Sequence, residues 1–322
     1  MDRKLACAAA LAGILAAAPA GAAETYPTRM VKMVVPSIAG SAPDIIARLV
    51  AERLTAAWGQ QVVVENRPAG NGIAAMQELA QAAPDGYTLG LFHAAAAVTT
   101  PVMYKEARFD VERDAETVAT VAYTPMLFVA NAQAPYRNVA GILAAARAKP
   151  DDVVIGSPRR GSVPHLTSEM MGQYGHVRFR QIGFSGTTQA IQALIKGDIP
   201  LYVDGTAPLL PLVRSGRIKA IAVTADEALP GLEGIPLAKD AVPGTVASGW
   251  FAMFAPKGTP QAVIDRASAD VNAALRQGPF AARLAELGTY PMIKSHAQAR
   301  DFIRSEKKRW EEVIAEAGVK PE

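Results

Sequence analysis

The chain repeats one short pattern that could hold an anion. Gly40-Ser41-Ala42-Pro43 and Gly161-Ser162-Val163-Pro164 both read G-S-x-P, and each is followed by a polar residue, Asp44 or His165. Serine suits the residue that caps a helix, proline suits the first helical turn, and glycine lets the backbone approach something closely. Each pattern therefore marks a helix start, where unpaired N–H groups and the positive end of the helix dipole favour a carboxylate or phosphate without any charged side chain. Capping alone explains one such motif, because α/β proteins commonly start helices this way. Repetition at corresponding points of two halves makes the pair a candidate anion clamp. Asp44, three residues after Ser41, is placed to close a capping box and is read as structural first.

Other side chains extend the candidate site. Arg159 and Arg160, just before the second motif, offer a guanidinium fork for a second carboxylate, which would favour diacids. A solvated loop, or pairing with acids elsewhere, explains them equally well. Asp204 follows the apolar run PLYV, where it could receive a ligand amine or hydroxyl or merely cap the helix near Ala207. His93 follows a predicted strand and is counted with these contacts.

Catalysis and metal binding find little support. His93, His165, His176 and His296 are the four histidines, and none stands in a close metal-ligand spacing. GFSG at residues 183–186 is not a nucleophile elbow, and AGNGIAA at 69–75 lacks the third glycine of a dinucleotide loop. Ser162, His165 and Asp204 can be imagined as a hydrolytic triad, but a serine and a histidine three apart at a helix start fit capping better. We expect no catalytic residue, no metal and no cofactor; a hydrolase is the weaker alternative.

The elements that must position these residues follow an α/β rhythm. A strand (VKMVV), a helix over 43–58 with an apolar stripe, a strand at Val62, a helix over 73–83, a Pro84-Asp85-Gly86 turn and a strand over 87–92 read β-α-β-α-β. The rhythm restarts at Met126 with MLFVA. Helices over 138–148, after Pro164, over 187–195 and over 207–214 then alternate with strands at Val153, near Val177, over 201–203 and over 218–224. Residues 228–249 look irregular. A last strand, GWFAMFAP, leads to helices over 260–276 and 295–317, the latter opened by a Ser295-x-x-Gln298 capping box. Such alternation implies mainly parallel sheets flanked by helices, with the ligand crevice at the carboxyl ends of the strands. If the C-terminal helices return to the first sheet, that domain is discontinuous: residues 24–123 plus 250–322 form domain 1 and 124–249 form domain 2, hinged where the chain crosses twice.

Composition agrees with this size. The 322 residues, half of them apolar, suffice for two cores. Residues 1–23 show the charged, apolar and small-residue order of a cleaved secretory signal, and their apolar run is too short for a permanent membrane helix. That leader holds the only cysteine, Cys7, so the mature chain has neither disulfide nor thiol. It also holds Arg3 and Lys4 of 33 basic residues and Asp2 of 30 acidic ones, which leaves a mature net charge of +2. No basic run is dense enough for nucleic acid or a membrane surface: EKKRWEE at 306–312 interleaves its charges on an amphipathic helix.

Longer stretches carry a family resemblance. YPTRMVKMVVPSIAGSAPDIIARLVAERL, GQQVVVENRPAGNG, AAPDGYTLGL, GSPRRGSVPHLTSEMM, RSGRIKAIAVT and GWFAMFAPKGTP resemble successive blocks of the Bug (TctC-like) solute receptors of tripartite tricarboxylate transporters. The resemblance spans the mature chain. It implies a two-domain periplasmic binding protein of type II, a Venus flytrap, closing on a small carboxylated molecule: an organic acid, an amino acid or an aromatic carboxylate. It implies that Ser37, Ile38, Ala39, Gly40, Ser41 and Asp44 in one loop, and Ser157, Arg159, Arg160, Gly161, Ser162 and His165 in the other, pinch the ligand carboxylate through backbone amides, serines and ordered water. The family usually has an aromatic where Ser37 stands, a second glycine at Ser41, small residues at Arg159 and Arg160, and Tyr-Lys-Gly near Phe184, which is carried over as a further contact. The implied setting is the periplasm and the implied partners are membrane transporter subunits, or alternatively a sensor kinase; a monomer is expected.

Overall fold

The computed structural model describes residues 26–316 and 318. The expected leader, residues 1–23 with Cys7, lies outside the described residues, as does the last residue of the helix expected over 295–317.

The first half forms as its periodicity predicts. Strand β1 (Val31–Val35) lies between β2 (Val62–Asn66) and β3 (Thr88–His93), parallel to both, with Val31 opposite Val62 and Met33 opposite Leu89. Helix α1 (Ala42–Trp58) buries Ile46, Ala47, Val50, Ala51, Leu54 and Trp58, a stripe spaced three and four apart. Each fully buried aliphatic side chain contributes about 1.5–3 kcal/mol. Gly59, at φ 64°, ends the helix and returns its N–H to Thr55. Helix α2 (Ile73–Gln81) covers the opposite face through Ala75, Met76 and Leu79.

After β3 come a π-helical turn (Ala95–Thr99) and two four-residue helices, α3 (Thr100–Met103) and α4 (Val111–Asp114), none of them foreseen from the periodicity. Strand β4 (Ala115–Asn131) then runs 17 residues, about 55 Å at about 3.3 Å per residue. It starts eleven residues before the expected Met126. Helix α5 (Val139–Ala148) and strand β5 (Val154–Ser157) follow, then helix α6 (Val163–Tyr174) and strand β6 (Arg180–Gly183). The strand expected near Val177 begins three residues later. His176 sits at φ 52° and the Val177 N–H bonds the Gly172 carbonyl, so the chain is still closing α6 there. Helix α7 (Thr187–Lys196), strand β7 (Leu201–Gly205), helix α8 (Thr206–Arg214) and strand β8 (Ile218–Val223) complete this part. A short helix α9 (Ala238–Ala241) interrupts the irregular stretch. The chain ends with β9 (Ser248–Pro256), α10 (Gln261–Leu275), α11 (Gly278–Glu286), β10 (Tyr290–Pro291) and α12 (His296–Glu316). Ser295 and Gln298 form the reciprocal box at the start of α12: the Ser295 N–H donates to Gln298 Oε1 (2.9 Å) and the Gln298 N–H to Ser295 Oγ (3.3 Å).

The strands run in the order β2-β1-β3-β9-β4-β7-β5-β6, with β8 and β10 also on β4. Parallel trios at the two ends, β2-β1-β3 and β7-β5-β6, are joined by the antiparallel pair β9 and β4. Strand β4 changes partner midway: it pairs with β9 as far as Pro125 opposite Ser248, and from Met126 opposite Gly205 it pairs with β7 and β8. The result is the two-lobed α/β architecture expected of the fold class. Helix α10 returns to the first lobe beside α1, where the Trp58 indole N–H donates to Asp270 Oδ2 at 2.6 Å.

Candidate functional site

The two G-S-x-P segments adopt one conformation. Gly40 and Gly161 have φ of 78° and 74°, a left-handed backbone in which a side chain is strained. Ser41 and Ser162 follow in extended conformation as helix caps, at φ/ψ of −75°/163° and −70°/157°. Each serine hydroxyl turns back to the carbonyl three residues earlier, Ser41 Oγ to Ile38 and Ser162 Oγ to Arg159, both at 2.6 Å. Each serine carbonyl accepts the first helical N–H, from Ile45 and from Leu166, both at 2.9 Å. Each glycine N–H donates to the side chain four residues on: Gly40 to Asp44 Oδ2 (2.8 Å), Gly161 to His165 Nδ1 (3.2 Å).

Asp44 therefore closes no capping box with Ser41. It reaches one residue further, to Gly40, and also receives Asn66 Nδ2 at 2.9 Å and Arg48 Nε at 3.0 Å. Burial alone would raise its pKa, but the bonds from Arg48, Gly40 and Asn66 outweigh it and hold the carboxyl below its ordinary value. Asp44 and His165 are thus equivalent supports behind the two loops, a correspondence that the differing residue types conceal in the sequence.

Both loops border one cavity of about 540 Å³, within the range of about 300–1,000 Å³ usual for small-molecule sites. It lies at the carboxyl ends of β1, β3, β5, β6 and β7. Of the residues named from sequence, Ser37, Ile38, Ser41, His93, Arg159, Arg160, Gly161, Ser162 and Asp204 line it. Ala39, Gly40, Asp44, Ser157, His165 and Phe184 do not. Phe184 instead packs over Gly156, where a Cβ would stand 3.1 Å from its ring. Reading along the sequence missed the apolar walls, Pro36, Tyr104, Met126, Trp250 and Phe251, and the polar Thr124 and Thr187. No sequence signal marks them, because β9 and the latter half of β4 come beside the cavity only through long-range pairing.

The electrostatics favour an anion at the loops. His93 accepts the Ala96 N–H at Nδ1 (3.2 Å) and bonds the Pro36 backbone; burial pushes its pKa down to about 4, and the charge of Arg159 acts in the same direction. His165 also falls to about 4, through burial and then the charge of Arg160. Both imidazoles are neutral at pH 7, which leaves positive charge to Arg159, Arg160 and the two helix starts. The Ser37 and Ser157 hydroxyls, at the ends of β1 and β5, are buried without a hydrogen-bond partner in the described protein. Such orphaned groups are uncommon and often mark a site where ligand or water completes the bonding.

Asp204 is buried at the carboxyl end of β7, beside β5, and borders the cavity. Tyr202 Oη (2.7 Å) and Thr187 Oγ1 (2.8 Å) donate to its Oδ2, and the Gly205 N–H (2.7 Å) donates to Oδ1. Burial raises its pKa, and these three bonds pull the other way without overcoming it. No side-chain bond caps α8, which corrects the idea that Asp204 caps the helix near Ala207. The imagined triad does not assemble either: Ser162 Oγ donates to Arg159, His165 Nδ1 takes the Gly161 N–H, and Asp204 serves Tyr202 and Thr187. Among the described residues no three acidic, histidine or cysteine side chains gather as a metal site, and no helix is long and apolar enough to cross a membrane.

Known proteins share this architecture. The family model for the tripartite tricarboxylate transporter family receptor, TctC, matches residues 46–319. A UPF0065 protein of Bordetella bronchiseptica is 34% identical over 303 residues, 94% of this chain and 90% of its own. Among solved structures, R. palustris Rpa4515 with adipate is 30% identical with a TM-score of 0.83, covering 92% of this chain and 100% of that one. MatC from Rhodopseudomonas palustris with bound malate is 28% identical with a TM-score of 0.77, covering 90% and 100%.

Proposed function

This chain belongs to the TctC family of tripartite tricarboxylate transporter receptors, and we propose that it captures a small carboxylate between its lobes and presents it to membrane transporter subunits. Its family is one of periplasmic solute-binding proteins, and the chain is a solute-binding protein, not an enzyme.

The observation that carries the carboxylate is the pair of helix starts with matching glycine and serine backbone angles that border one cavity. Helix N-termini of this kind present N–H donors and about half a positive charge each, suited to the planar, bidentate carboxylate group. The buried histidines, neutral at pH 7, add no charge of their own, and Arg159 and Arg160 on the cavity wall carry positive charge. Adipate in Rpa4515 and malate in MatC, relatives of similar fold, support a carboxylic acid as the ligand here.

Capture works by closure. The first loop belongs to the lobe of β1, the second to the lobe of β5, so neither lobe alone holds both halves of the clamp. The partner switch of β4 at Pro125 and Met126, and the start of β9 at Ser248, support a hinge at the proposed boundaries, with residues 24–123 plus 250–322 against 124–249. Export by the leader, a monomeric state and the ligand contacts of Ser37, Ser41, Ser157 and Ser162 belong to the same reading.

A thermal-shift screen of organic acids, amino acids and aromatic carboxylates tests it. A ligand at a hundred times its dissociation constant stabilises the native state by about 2.7 kcal/mol. A hit among carboxylates is expected; stabilisation by neutral or cationic solutes alone would contradict the reading.

A further inference from the structure

The AGNGIAA stretch, which matches no dinucleotide loop, has a packing role near the first clamp loop. Its Gly72 stands before α2 at φ 92°. A Cβ there would lie 2.7 Å from Pro36 Cβ and 3.2 Å from Ala96 Cβ. Pro36 opens the first clamp loop and Ala96 belongs to the π-helical turn, so the two converge on Gly72, whose bare backbone admits both. His93 ties the same two segments together. Its Nδ1 accepts the Ala96 N–H at 3.2 Å, and its ring bonds the Pro36 backbone, where proline offers only a carbonyl. Receiving the N–H three residues on, the imidazole acts on the turn as a capping side chain does.

The capped turn reaches the other lobe. Its backbone runs on through Thr99 into α3, which ends at Met103. Thr99 Oγ1 donates to the Gly161 carbonyl at 3.0 Å, and a Cβ at Gly161 would stand 3.0 Å from Met103 Cγ. This arm of the first lobe therefore holds the glycine of the second clamp loop. A π-helical turn is rare and frequently lies at a functional site. From this arrangement we infer that His93, with the space left by Gly72, is a positioning residue for ligand capture: it keeps the first clamp loop in step with the arm that holds the second, so that both helix starts meet one carboxylate. The inference rests on the carboxylate reading of the cavity and adds to it a residue that acts through the loops. His93 borders the cavity, but its hydrogen bonds go to the backbone of Ala96 and Pro36.

The test is calorimetry on the full chain with malate, adipate, glutamate and benzoate, each beside its primary amide. His93→Phe keeps a ring and removes both bonds. It is expected to weaken binding of the preferred acid by about tenfold or more and to reduce the acid-over-amide preference to about threefold or less. Gly72→Ala pushes Pro36 and Ala96 apart without touching His93 and is expected to act in the same direction. His93→Asn retains an acceptor for the Ala96 N–H and should fall between His93→Phe and the unaltered protein. Thr99→Val should lose nearly all its effect on affinity in the His93→Phe background, because the arm is already loose there. A purely structural histidine would lower the melting temperature and leave these ligand readouts alone. Unchanged acid affinity and acid-over-amide preference in folded His93→Phe would overturn the inference, as would a full Thr99→Val effect in that background. If His93→Phe does not fold, unchanged affinity and preference in His93→Asn and Gly72→Ala would overturn it. The unaltered protein separates the two levels. If it binds none of the four acids, or binds acids and amides alike, the carboxylate reading fails together with this inference; if it prefers acids and the variants keep that preference, the inference alone fails.

Discussion

Thr99 and Gly161 join the two lobes beside the cavity: Thr99 Oγ1, on the π-helical turn after β3, donates to the Gly161 carbonyl at 3.0 Å. The bond is buried and fixes the glycine of the second loop against the first lobe. A net hydrogen bond contributes about 0.5–1.5 kcal/mol. Thr99→Val is therefore expected to weaken ligand binding by about three- to tenfold, while Thr99→Ser keeps most of the affinity. Isothermal titration of both variants checks this; equal affinities for valine and serine would remove the bond from the closing mechanism.

Gly40 and Gly161 share a backbone conformation and differ in surroundings. A Cβ at Gly40 would meet nothing within 4 Å, whereas one at Gly161 would stand 3.0 Å from Met103 Cγ. Gly40→Ala is expected to cost about 1–2 kcal/mol from left-handed strain alone. Gly161→Ala should cost more, because Met103 must also move, and it should weaken binding as the loop shifts. Denaturant titration of the two variants is the check, and equal losses would show that the interlobe contact with Met103 carries no energy.

Glu306 on α12 accepts the indole N–H groups of Trp250 (2.8 Å) and Trp310 (3.1 Å) through one oxygen, Oε2. Trp250 borders the cavity, so the last helix holds part of its wall. Glu306→Leu leaves two buried donors unpaired, at about 1–3 kcal/mol each, and is expected to lower the melting temperature markedly; Glu306→Gln retains an acceptor and should be milder. Tryptophan fluorescence is expected to change on ligand binding in the unaltered protein, and Trp250→Phe should abolish most of that response.

Acid should destabilise the fold through its histidines. The folded pKa of His93 and of His165 is about 4, below the ordinary value of 6.5, so the unfolded chain binds more protons between these limits. Their contribution is complete above pH 6.5 and is lost as pH falls toward 4, by up to about 1.4 kcal/mol per pH unit for each. Glu169, which burial raises, works in the opposite direction beside His165, so His93→Gln is the cleaner variant. It is expected to flatten the stability profile between pH 6.5 and 4, measured by urea unfolding; an unchanged slope would contradict the assignment.

Much of this was legible in order along the chain. The stripe of α1, the Ser295 and Gln298 box and the two G-S-x-P helix starts are local features, set by residues a few positions apart. The first half of β4 was not legible: Thr117, Thr120 and Thr124 interrupt its apolar run, and Pro125 ordinarily argues against a central strand. It is a strand because β9 pairs with it, a contact between residues more than a hundred apart. The site divides the same way. Its loops announce themselves through glycine, serine and proline, whereas the Tyr202, Thr187 and Asp204 cluster and the Trp250 wall exist only once β7, α7 and β9 are assembled. Sequence spacing puts Asp44 within reach of Ser41 for a capping box but shows reach and not direction, and its carboxyl instead accepts the Gly40 N–H.

The central claim is that an ionised carboxylate is held between the starts of α1 and α6. The most direct measurement is the calorimetric affinity, at neutral pH, of the tightest acid found by thermal shift and of its primary amide, which has nearly the same shape without the charge. The account predicts that the amide binds at least tenfold more weakly, about 1.4 kcal/mol. Equal affinity for acid and amide would contradict it and return both G-S-x-P segments to the role of ordinary helix caps.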